Sequence, residues 1–191
     1  MVGAVLTQNT AWINVEKALD NLKAAQLLNA KSIVACELHV LAEHLRPSGY
    51  FNIKAKRLQN YCRWYLAQGE YKMLSQWKTD TLRNALLAVN GIGPETADDI
   101  LLYAFDRPVF VIDAYTRRLF SRLGLVGGEE AYETLRAVFE DALSHKRAVQ
   151  RVRMFNEYHA LIVRHAKEAC RTKPLCDLCC LQEQCEGVHQ E

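Results

Sequence analysis

Only one stretch of the chain, Val109-Phe110-Val111-Ile112, reads as extended, and it is too short to found a sheet. Without a sheet, the chain must bury its apolar residues on helices. Nine glycines and four prolines in 191 residues fall mostly between segments with helical apolar spacing. Trp12, Val15, Leu19 and Leu22 mark one helix, and Ile53, Leu58, Cys62 and Tyr65 another, with Asn52 as its expected cap and Gly69 near its end. Thr79 or Asp80 is expected to cap a helix through Leu82, Leu86 and Val89. Further helices are predicted over 114–123, stopped by Gly124, over 129–143 and over 148–169. The segment 3–7 reads as the middle of a buried helix without a cap, which leads us to expect a natural segment upstream of it. The expected fold class is all-α, a stack of short helices joined by tight turns.

No run approaches the length of a membrane span, and the first residues lack the basic and small-residue pattern of a secretory signal. The expected compartment is therefore the cytoplasm, with no membrane partner. Seven cysteines in such a chain point to metal or redox chemistry rather than to a disulfide framework. The net charge of +2 conceals a local imbalance. Residues 144–173 carry eight basic side chains, Arg151 and Arg153 among them, against Glu157 and Glu168. Such a patch can bind a polyanion, and it can equally be a solvated helix face.

Two motifs carry chemistry. In Asn90-Gly91-Ile92-Gly93-Pro94-Glu95-Thr96 an apolar helix gives way to a glycine hairpin, and Pro94 suits the first position of the next helix. Amides at such a helix start can hold a phosphate and so position a duplex without reading its sequence; an ordinary helical hairpin would look the same. The second motif is Cys170-x5-Cys176-x2-Cys179-x5-Cys185, four thiols able to surround one centre. Zinc and an iron–sulfur cluster both accept four thiolates, and spacing alone does not choose between them. Adjacent cysteines rarely share a centre, so Cys180 is left out. Cys36 and Cys62 read as core residues. Asp113, just before a predicted helix, reads as its N-cap.

With the hairpin, the aspartate 18 residues after Glu95 and the cysteine tail in place, the chain resembles the helix–hairpin–helix DNA glycosylases of the endonuclease III type. The stretches Leu6-Thr7-Gln8-Asn9-Thr10, Gly49–Lys56, Val111-Ile112-Asp113 and His159–Lys167 match as well, so the resemblance covers nearly the whole chain. It implies two helical domains with the active site in the cleft between them. They are placed at 1–107, with the helix–hairpin–helix at about 82–105, and at 108–191, with a 4Fe–4S loop at 170–185 held by Cys170, Cys176, Cys179 and Cys185. It also implies base-excision repair of damaged double-stranded DNA by a nucleoid-associated monomer.

Two departures refine that expectation. The first cysteine gap is x5 where the family usually has x6. More important, the lysine that forms a Schiff base in the family is missing, and Glu95 follows Pro94 instead. Glu95, Gln8-Asn9-Thr10 and the segment 158–163 look more like the 3-methyladenine DNA glycosylase III branch, whose members excise alkylated purines without cutting the strand. The resemblance then makes Asp113 the catalytic carboxylate and Glu95 a candidate for the base pocket. It puts Gln8 and Tyr50 at the duplex wedge, and Gly91, Ile92, Gly93 and Thr96 with Arg151 and Arg153 on DNA. The alternatives are a bifunctional glycosylase/lyase on oxidised pyrimidines, using another lysine, and a structure-specific DNA-binding module without excision. Lys54 and Lys56 lie on a matching segment without an assigned role.

Overall fold

The computed structural model describes residues 1–189 and is helical throughout its regular elements. The chain groups into two compact units, Met1–Ile100 and Leu101–Glu191, with the division inside a helix rather than at the expected 107/108 boundary. No helix among the described residues is long and apolar enough to cross a membrane.

The first unit contains α1 (Val2–Leu6), α2 (Trp12–Ala24), α3 (Ala30–Ala35), α4 (Leu38–Leu45), α5 (Phe51–Ala67), α6 (Glu70–Leu74), α7 (Thr79–Leu87) and the first part of α8 (Pro94–Phe105). Leu6, Leu22, Leu41, Leu58, Leu82 and Leu86 form its buried centre. The first helix is only five residues long and has no side-chain cap. Two expected caps are corrected. Asn52 lies inside α5, whose N-cap is Tyr50, and Lys78 rather than Thr79 or Asp80 caps α7. Val89 falls beyond α7, whose C-cap is Ala88. Trp12 and Ile53 share the apolar spacing of their helices yet stay about half exposed. Cys62 is buried as expected, whereas Cys36 caps α3 at partial exposure.

The second unit holds α9 (Ala114–Arg122), α10 (Tyr132–Ala142) and α11 (Ala148–Glu168), followed by short 3-10 turns through the cysteine tail. Gly124 follows α9 in the left-handed region (φ 69), as the sequence predicts, while α10 starts three residues later than expected. Residues 109–112 are not a strand. They run buried through an aromatic core in which Phe110 stacks on Phe139 at 4.4 Å and meets Phe155 edge-on at 5.3 Å. A buried extended segment needs partners for its amides. Glu140 accepts from the Phe110 amide at 3.0 Å, and the Tyr132 hydroxyl oxygen from that of Ile112 at 3.3 Å. Side chains thus replace a sheet neighbour and hold the backbone that delivers Asp113.

Candidate active site

Asp113 stands at the junction of that buried segment with α9. Its Oδ1 accepts from the Thr116 amide at 2.7 Å, so the capping role read from the sequence is real. The carboxylate is 9% exposed, and its other oxygen lies 3.4 Å from Nε2 of His159 on α11. Nδ1 of His159 is 2.6 Å from the Tyr103 hydroxyl on α8. Burial pushes the Asp113 carboxyl up, but the bond and charge of His159, with the amide and hydroxyl of Thr116, outweigh it. The carboxyl therefore ionises below its ordinary value.

In the first unit, three of the residues singled out in the sequence meet at the hairpin. Gln8 Nε2 donates to the Gly91 carbonyl at 3.1 Å and to the Thr96 hydroxyl oxygen at 2.9 Å, while Arg57 donates to Gln8 Oε1. Gly91 has φ +97, and a Cβ there would come within 2.3 Å of the Arg57 side chain. Gly93 differs: its φ is ordinary and a Cβ would meet nothing within 4 Å. Of the two hairpin glycines, the fold demands the first and leaves the second open. Ile92 and Thr96 are buried, so the hairpin offers a ligand chiefly backbone, and Glu95 is exposed in the first turn of α8. Pro94 opens α8 as expected.

Tyr50 is 69% exposed and sits in the left-handed region (φ 45), which costs a bulky residue energy unless its surroundings enforce it. The enforcing element is Lys54, a residue without a role in the sequence reading. Its side chain is 1% exposed, and Nζ donates to the Leu6 carbonyl at 2.9 Å, the Thr10 hydroxyl at 2.8 Å and the Ser48 carbonyl at 2.6 Å. These acceptors flank Gln8 on one side and Tyr50 on the other, so one ammonium ties both loops together.

Burial, with Arg57 nearby, lowers the Lys54 pKa from 10.5 to about 8. The unfolded chain therefore binds more protons between these values, and stability rises with pH across that window. Lys54→Met is expected to lower stability at pH 7 by about 2–4 kcal/mol, because the Leu6 and Ser48 carbonyls and the Thr10 hydroxyl lose the ammonium that ties them together. The gap between the two proteins should then widen above pH 8, as read by denaturant titration. Cys62, pushed up to about 12 by burial, has the opposite pH dependence but is common to both proteins and cancels.

The basic residues of 144–173 do not form one face. Arg151 leans over the Phe155 ring at 5.5 Å and reaches the Pro108 carbonyl at 3.4 Å, whereas Arg153, two residues on, is exposed on another side of α11. Arg164 pairs with Glu168 at 2.9 Å, and Arg171 Nε donates to the Lys167 carbonyl at 2.8 Å.

The four cysteines of the tail, Cys170, Cys176, Cys179 and Cys185, line one small pocket with Arg122 and Pro174. Arg122 Nη1 is 3.3 Å from the Cys170 sulfur, and the Cys185 thiol faces the Arg122 carbonyl at 3.3 Å. Cys180 is exposed. Among the described residues no three His, Cys, Asp or Glu side chains are drawn tightly enough to hold a single metal ion. The donor set, four cysteines lining one pocket beside a guanidinium, suits in its chemistry a thiolate-bound group with negative charge to offset.

Residues 2–145 match the HhH-GPD superfamily of base excision DNA repair proteins. The chain belongs to that family. It is 46% identical over 188 residues to a protein of Methanocaldococcus jannaschii that carries the provisional name of a DNA repair glycosylase, covering 97% of this chain and 83% of that one. Endonuclease III of Sulfolobus acidocaldarius is 26% identical over 97% of this chain and 80% of its own length. Among solved structures, the 3-methyladenine DNA glycosylase of H. pylori bound to 1,N6-ethenoadenine superposes with a TM-score of 0.77 at 35% identity, over 87% of this chain and 83% of that one. A non-covalent endonuclease III–DNA complex shares the fold, with a TM-score of 0.79 at 20% identity over 99% of this chain and 83% of that one. The chain is thus a DNA glycosylase of the helix–hairpin–helix kind, as the resemblance implied.

The sequence reading missed Tyr103, Lys54, Arg57, Arg122 and the pairing of His159. For two of them a signal existed. Lys54 falls on the stripe Lys54-Leu58-Cys62 of α5, and His159 on the stripe Val152-Phe155-His159-Ile162-Ala166 of α11. An ionisable residue at an apolar spacing needs a buried partner.

Proposed function

We propose that the protein is a monofunctional DNA N-glycosylase that binds damaged double-stranded DNA and releases an alkylated purine. The observation that carries this reading is the disposition of amines. Glu95 occupies the first turn after the hairpin, where a Schiff-base lysine would stand by resemblance, and a carboxylate cannot form an imine. Lys54, the obvious substitute, is enclosed with all three of its protons given to oxygens. The 35% identity to a 3-methyladenine glycosylase supports the same substrate class.

The damaged nucleotide must leave the stack at a cost of a few kcal/mol. Hairpin backbone and the start of α8 take the phosphates, and the exposed Tyr50 enters the duplex, its flat ring offering a stacking surface. Gln8, expected beside it at the wedge, instead spends its amide on Gly91, Thr96 and Arg57 and braces the hairpin. The bond between the base nitrogen and C1′ of the sugar then breaks, its electron pair leaving with the base. A cationic alkylated purine departs neutral, which makes it a good leaving group. The oxocarbenium-like sugar left behind faces the ionised Asp113, and water adds to C1′ as its proton passes to the Asp113 carboxylate, which then releases it to solvent. An intact abasic strand results.

Cys170, Cys176, Cys179 and Cys185 would hold a 4Fe–4S cluster as a structural staple. In such a cluster each cysteine binds a different iron, so the sulfurs share a pocket without converging on one ion, whereas zinc demands a tight tetrahedron. The protein is expected to be yellow-brown with about four irons per chain, and Cys176→Ser to lose the colour. A colourless protein with one stoichiometric zinc would overturn this assignment. Gly93→Trp is expected to leave the melting temperature unchanged and to weaken binding to all duplexes alike, as read by fluorescence anisotropy.

The deciding experiment is a panel of lesion-bearing duplexes treated with and without alkali. Alkylated purines should yield breaks only after alkali, and borohydride should trap no protein–DNA adduct. A trapped adduct would replace this reading with the bifunctional one; absence of excision across the panel would favour the binding module.

A further inference from the structure

Asp113 needs only one oxygen to cap α9. The other is approached from a different helix by Nε2 of a histidine whose Nδ1 meets a tyrosine hydroxyl, an arrangement that capping does not require. His159 is 8% exposed and occupies a core position of α11 where an aliphatic side chain would pack without polar atoms to satisfy. Its Nδ1 lies 2.6 Å from the Tyr103 hydroxyl and its Nε2 3.4 Å from Asp113 Oδ2. Tyr103 itself is half exposed, so a phenylalanine would serve for packing alone.

We propose that Tyr103 and His159 form a relay that positions the Asp113 carboxylate. The inference rests on the reading of Asp113 as the group that faces the sugar cation. A neutral imidazole has one donor and one acceptor nitrogen. The tautomer with hydrogen on Nδ1 would point the lone pair of Nε2 at the carboxylate, which is repulsive. The other puts the hydrogen on Nε2, toward Asp113 Oδ2, and lets Nδ1 accept from the Tyr103 hydroxyl. Tyr103 thereby selects the tautomer, and His159 fixes the torsion of a carboxylate anchored at its other oxygen by the Thr116 amide. Two anchors from separate elements hold the charge in place. Held in one orientation, the carboxylate keeps its charge aimed at the cation that develops at C1′. The separation of 3.4 Å is at the long end of hydrogen-bond reach, a common state of catalytic contacts before substrate arrives.

The test compares wild type with H159L, H159Q, Y103F and D113N in single-turnover excision and duplex binding. Leucine fills the site without a donor, while the glutamine amide can stand where Nε2 does. H159L is expected to excise roughly 10-fold or more slowly with unchanged duplex affinity. H159Q should recover most of that loss, and Y103F should lose a smaller part of the rate. H159L or Y103F at wild-type rate, with D113N inactive, would overturn the relay and leave the role of Asp113 standing. An active D113N would overturn that role instead. A second readout is independent of activity: the Asp113 carboxyl, followed by carbon NMR, should titrate at higher pH in H159L than in wild type or H159Q. An unmoved titration would overturn the relay, and Y103F allows the same reading should H159L not fold.

Discussion

Asp113→Asn is expected to lose excision by about 100-fold or more while the fold and duplex binding remain. Asparagine is as good an N-cap as aspartate, so its side-chain oxygen still accepts from the Thr116 amide and α9 still starts at Ala114. What disappears is one negative charge in a largely buried setting, where charge acts strongly because little water screens it. The ground state, with a neutral sugar, gains little from that charge. The transition state, with positive charge on the sugar ring, gains much, so the loss should fall on the single-turnover rate and not on affinity. Thermal melting and anisotropy on the same preparation check the two controls. A variant that binds and excises like wild type would reduce Asp113 to a cap.

Breaking the buried pair Arg83–Asp98 is expected to cost about 3–5 kcal/mol of stability, because one charge would stay behind without its partner. Arg83 on α7 and Asp98 on α8 meet in two parallel bonds of 2.7 and 3.1 Å, with side chains 9% and 0% exposed. These two helices flank the hairpin, so the fork fixes the angle at which Gly91-Ile92-Gly93 is presented. Asp98→Asn keeps the shape but removes the charge that the buried guanidinium forks with. Its melting temperature should fall by roughly 10 °C, given that 1 kcal/mol shifts a chain of this size by about 2–4 °C. The double variant Arg83→Met, Asp98→Leu should regain much of the loss, because apolar replacements abolish the desolvation cost along with the attraction. Strict additivity of the two single losses in the double variant would contradict a direct coupling.

The family and the all-helical architecture were legible in the sequence because they rest on local rules. Helical spacing located α2, α5, α9, α10 and α11, Gly124 marked the end of α9, and Pro94 the start of α8. The Gly91-Ile92-Gly93 turn, the Asp113 cap and the four-cysteine spacing are likewise short-range patterns that survive without knowledge of the fold. Errors clustered where two residue types compete for one task. Asn52, Thr79 and Asp80 are better cap formers than Tyr50 and Lys78, yet α5 and α7 start before them, with no side-chain cap bond at either N-cap. Similarly, a run of charges along 144–173 suggested a surface, but a helix distributes successive residues around its axis, and several of the basic groups are engaged locally.

By itself the sequence determined the helices, the glycine hairpin and the chemistry available at Asp113 and the cysteines, since each depends on residues within a turn or two of one another. Tertiary structure alone decided which long-range partners those groups have. Gln8 reaches the hairpin 83 residues away, Lys54 reaches Leu6 across 48, and Tyr103 meets His159 across 56. No local pattern encodes such pairs: a lysine or histidine on an apolar stripe announces that burial will demand a partner, but the partner is chosen by how the helices pack.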